Sequence, residues 1–120
     1  MGRRSRGRAG KLSAPTSTYA AGDGELELRG SLTARTRRQY ADILAGRGGP
    51  AAATIDDAWQ RAVEFLFERL VARWTVGGVD YTDQRELLLR LRAATPDERR
   101  AVRGALREHC AEWFPDLEAP

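Results

Sequence analysis

Apolar and polar positions divide the chain into one short alternating stretch, several stretches of helical period, and polar ends. Glu25-Leu26-Glu27-Leu28-Arg29 alternates with the period of a half-buried strand, and Gly30 stops it. A strand so short needs a partner, either in this chain or in another copy. Thr33 can cap a first helix running to about Ala45, with Gly46 ending it. Tyr40, Ile43 and Leu44 share a face at i, i+3 and i+4, which suits docking on a core. Residues 46–53 carry no packing side chain and read as a flexible connector.

The strongest helical pattern begins at Asp56, a plausible N-cap, and runs to about Val76 before Gly77-Gly78. At 100° per residue, Trp59, Val63, Leu66, Phe67, Leu70 and Trp74 fall within about 100° of arc. Trp59 and Trp74 are therefore expected to be buried in one core. Phe65 lies nearly opposite that stripe, among Ala58, Ala62 and Ala72, so the helix is either central to the fold or has a partner on its back. Gly77-Gly78 fits a tight hairpin or a helix C-cap followed by a loop across residues 75–81, and the loop is preferred. Asp83, with Glu86 three residues on, starts a third helix that buries Leu87, Leu88 and Leu91. Thr95-Pro96-Asp97-Glu98 combines a capping box with proline at the first helical position. The fourth helix then runs to about Trp113, burying Ala101, Val102, Ala105, Leu106 and Trp113, until Phe114-Pro115 ends it.

The expected fold is mainly α within the α+β class: a small four-helix domain with a short N-terminal strand or hairpin, preceded by a disordered basic tail. Residues 1–22 form the Arg-rich tail, 23–116 the helical domain and 117–120 a C-terminal tail. With 120 residues there is room for one domain, not two. The tail holds Arg3, Arg4, Arg6, Arg8 and Lys11 and no acid, so the formal net charge of +3 belongs to it. The remaining residues hold 15 basic and 17 acidic side chains, which excludes a uniformly basic nucleic-acid-binding domain. Lacking apolar anchors, residues 1–22 should be removable without loss of the fold.

One Cys and one His exclude an internal disulfide and a Cys/His zinc site. His109 and Cys110 are adjacent on a helix, so their side chains diverge by about 100° and do not form a nucleophile–base pair. Glu64 and Glu68 share a helix face, but Arg61 and Arg69 stand near enough to neutralise them, and a solvated ionic face accounts for all four. The Gly46–Gly49 segment lacks the Gly-Lys-Ser/Thr ending of a phosphate loop. No active site emerges, no cofactor is implied, and the chain reads as a non-enzyme. No stretch approaches the length of a membrane span, which points to a soluble, cytoplasmic protein.

The order of these features resembles the tail assembly chaperones of long-tailed bacteriophages and prophages. The resemblance rests on ELELRGSLTARTRRQYADIL, then AWQRAVEFLFERLVARWTVGG, then DQRELLLRLRAATPDERRAVRGALREHC, and spans residues 25–114. It implies binding of a tape-measure protein during tail morphogenesis in the bacterial host cytoplasm, with a tail-tube protein or a second copy of the chain as further partners. The Arg-rich tail departs from that pattern. An alternative reading is a small nucleic-acid-associated regulator using Arg3, Arg4, Arg6, Arg8 and Lys11, whose contacts to phosphate would be weak and nonspecific. Partner-binding positions follow from surface logic: Phe65 and Leu89 both fall outside the buried stripes of their helices. For Phe65, coverage by the first helix through Tyr40 and Ile43 remains the competing reading.

Overall fold

The computed structural model describes residues 15–49 and 54–120. Its elements run β1 (Thr16–Ala21), β2 (Gly24–Arg29), α1 (Ala34–Leu44), α2 (Ile55–Leu70), β3 (Val71–Val76), β4 (Val79–Tyr81), α3 (Gln84–Arg92) and α4 (Pro96–Trp113). The four strands form one sheet in the order β1-β2-β3-β4, with every neighbouring pair antiparallel. The fold is therefore α+β around a four-stranded sheet, which corrects the expected four-helix domain.

Two tight turns build the sheet from its ends. Gly22, with φ of 62°, closes the β1–β2 hairpin, while Gly77 (60°) and Gly78 (77°) close β3–β4. Two consecutive positive-φ residues match the right-handed twist of the flanking strands, and glycine adopts them without steric cost. Residues 76–79 thus form a hairpin and not the preferred loop. β2 joins the two hairpins by pairing Leu26 with Trp74 and Leu28 with Val71, and the register shifts between Glu27 and Leu28.

The second helix is shorter than its periodicity indicates. It stops at Leu70 and the chain passes directly into β3, so Trp74 is buried from a strand. It also starts earlier: Thr54, not Asp56, is the N-cap, and its hydroxyl accepts from Asp57 N at 3.1 Å while Asp57 accepts from Thr54 N at 3.0 Å. The other caps fall where the sequence puts them, at Thr33, Asp83 and Thr95.

One sheet face is the core. Tyr19, Leu26, Leu28, Trp74 and Val76 point into it and meet Val63, Leu66, Phe67 and Leu70 of α2 and Val102 and Leu106 of α4. The ring of Trp74 stands edge-on to Phe67 at 5.7 Å between centroids. Trp59 and Trp113, by contrast, are only half-buried. The opposite sheet face is polar: Arg73 reaches Glu27 at 3.6 Å and Asp80 at 3.5 Å, and Thr75 donates to Asp80 at 2.7 Å.

Both chain ends are corrected. Thr16–Ala21, assigned above to the tail, is an edge strand whose Tyr19 and Ala21 enter the core. Of the basic tail, residues 1–14 lie outside the described residues, as do residues 50–53 of the connector. At the other end, residues 117–120 fold back: Leu117 and Ala119 pack on the core and Pro120 is buried. The Tyr40 hydroxyl secures that segment by donating to the Glu118 carbonyl. Among the described residues, no helix is long and apolar enough to cross a membrane.

Candidate functional site

The residue types that carry chemistry meet at one place, where α4 crosses β1 and β2. His109 is fully buried there. Its Nε2 lies 2.7 Å from the Arg29 carbonyl oxygen. A carbonyl only accepts, so Nε2 carries the proton and donates. Nδ1 is then free to accept from the Tyr19 hydroxyl at 2.8 Å. The same hydroxyl also lies 3.2 Å from Glu112 Oε1, so one phenolic proton serves two acceptors. Burial lowers the His109 pKa, partly offset by the Arg29 hydrogen bond and the Glu112 charge, and burial raises that of Tyr19.

His109 is enclosed, while Glu112 stands exposed at the edge of the cluster. Trp113, which donates to Ser17 Oγ at 3.1 Å, and Phe114 flank the imidazole at centroid distances of 5.9 and 5.8 Å. The neighbouring Cys110 is buried separately, and loss of hydration raises its thiol pKa to about 11. A protonated thiol is a poor nucleophile at neutral pH. The arrangement ties the N-terminal hairpin to the last helix.

The other sequence candidates are dispersed. Glu64 pairs with Arg92 at 3.1 Å, and no group of three or more His, Cys, Asp or Glu that could hold a metal occurs among the described residues. Phe65 is half-buried and packed against the core, with the Arg69 guanidinium 4.9 Å from its ring centre. α1 packs on α2 and buries Tyr40 between them and the C-terminal segment. Leu89 is 58% exposed, about 200° round α3 from the buried Leu87. Arg3, Arg4, Arg6, Arg8 and Lys11 lie outside the described residues.

Two of the surface cavities lie among the described residues. One, of about 310 Å³, separates α1 from the C-terminal segment and is lined by Tyr40, Leu44 and Leu117 with Asp116 and Glu118 at its rim. The other, of about 240 Å³, lies between the β1–β2 turn and the start of α4, with Trp74 and Val76 in its wall. Both fall at or below the lower end of the range for small-molecule sites.

Sequence reasoning missed the β1 edge altogether. Gly30 N donates to Pro15 O at 2.7 Å, making 15/30 a hydrogen-bonded pair. Alternation along the register makes 17/28, 19/26 and 21/24 bonded pairs too, and turns the backbone N–H and C=O of Thr16, Thr18 and Ala20 outward. All three residues are exposed, and no described strand pairs with them. The chain matches no family model, no curated protein and no solved structure.

Proposed function

We propose that the chain is a non-enzymatic binding protein of the phage tail assembly chaperone type, which holds a tape-measure protein in soluble form in the host cytoplasm while the tail is built. The observation that carries this reading is Leu89. It is a large apolar side chain, 58% exposed, on the side of α3 that the fold does not need. A partner seated on α3 would remove that apolar area from water. The enclosure of His109 and Cys110 supports a binding role, since neither side chain is presented to a substrate.

The test is co-expression with a phage tape-measure protein, scoring its soluble fraction. Leu89→Asp should leave the melting temperature of the isolated chain within a few degrees of the parent and abolish the solubilisation. Retention of full solubilisation by the folded variant would overturn the reading. Salt-sensitive binding to duplex DNA with no effect on the tape-measure protein would favour the regulator alternative.

A further inference from the structure

We propose that the edge of β1 that no described strand covers is a strand-addition site for an extended, basic segment of a partner protein. An edge strand offers unpaired amides and carbonyls to any chain that can lie alongside it, and sheets commonly guard such edges with charge, proline, bulges or brevity. The two edges of this sheet differ in that respect. β4 is only three residues long and carries Asp80, which is held by Arg73 and Thr75. β1 is six residues long, TSTYAA, with no charge, no internal proline and an unbroken register against β2. Its outward backbone groups belong to Thr16, Thr18 and Ala20, so a docked strand would not disturb the existing ladder.

The charges around that edge select the occupant. On the helix side, Glu112 reaches the Tyr19 hydroxyl and Glu108 lies close enough to raise the Tyr19 pKa. On the outer side stands Glu25, with Asp23 in the turn, while Glu27 is already engaged by Thr16 and Arg73. Three nearby basic groups are committed elsewhere. Arg29 donates to the Val71 carbonyl at 3.0 Å, Arg73 bridges Glu27 and Asp80, and Arg103 lies over Trp59. Side chains alternate along a strand, so every second residue of a docked segment would fall beside Glu108 and Glu112. Lysine or arginine at those positions completes the contact. A second copy of β1 does not, because antiparallel pairing would bring the Glu108 and Glu112 carboxylates of both copies together on one face.

This proposal uses no residue of α3, so it fails or stands separately from the chaperone reading. The probe is a lysine–valine alternating heptapeptide titrated against the full chain at low salt, with a glutamate–valine peptide as control. The lysine peptide should bind saturably and slow hydrogen exchange at the amides of Thr16, Thr18 and Ala20, while the glutamate peptide should not bind. Thr18→Pro removes an outward N–H only and should weaken binding by at least about fivefold. Should that variant fail to fold, the unaltered protein carries the test with a peptide N-methylated on alternate residues, which should lose binding. The proposal is overturned by absence of binding, by equal binding of the acidic peptide, or by indifference to Thr18→Pro or N-methylation. A homodimer that protects the same three amides would equally overturn it.

Discussion

At the scale of single residues, His109 and Trp74 carry the most weight. A buried neutral imidazole must take up a proton when the chain unfolds in acid. Its folded pKa lies below the ordinary 6.5, so the unfolded state binds the proton more readily. Stability is therefore complete above about pH 6.5 and declines as pH falls toward the lowered folded value. The urea midpoint of the parent should fall across that window, and His109→Gln, which does not titrate, should remove this part of the slope. An equal slope in both proteins would show that His109 does not set it. Trp74 is 1% exposed against Phe67. Trp74→Ala should cost about 3–5 kcal/mol, a large part of the roughly 5–15 kcal/mol that holds a small domain together. Denaturant unfolding measures this directly. The burial of Trp74 was legible in the sequence, but its backbone was not. The role of His109 was not legible either, because its partners Tyr19 and Arg29 are distant in sequence and meet it only through the sheet.

At the scale of elements, what could be read depended on how local the signal is. Thr33, Asp83 and Thr95 announce their helices because a cap bonds to an amide three residues away. The α2–β3 junction gives no such signal. No glycine or proline separates Leu70 from Val71, and the irregular register of β2 and β3 spaces the inward residues Val71, Trp74 and Val76 unevenly. That spacing breaks the period of two and lets Trp74 continue the helical stripe. The β-branched Val71, Thr75 and Val76 were the available clue. β1 was missed because Tyr19 is its only large apolar residue. The β3–β4 turn invites a direct test. Gly78→Ala places a Cβ at positive φ and should cost about 1–2 kcal/mol, whereas asparagine there should cost less. A thermal melt in which alanine and asparagine behave alike would contradict the turn geometry.

At the scale of the whole molecule, the N-terminal hairpin is part of the domain and not an appendage. A chain beginning at Asp23 would lose Tyr19, strip His109 of one hydrogen bond and expose Leu26 and Leu28 along an edge. Its melting temperature should fall by about 10 °C or more, against the expectation that residues 1–22 are dispensable. An unchanged melt would restore that expectation. The order of the strands also bears on how fast the molecule assembles. Each hairpin closes between residues adjacent in sequence, an event of microseconds. The seam between β2 and β3 instead needs the chain to close over residues 30–70, and the entropy of that closure is spent before Leu26 meets Trp74. Folding speed should therefore be governed by the central seam. Shortening Leu26 to alanine should slow refolding, and refolding left unchanged with unfolding made faster would show that the seam closes after the rate-limiting step.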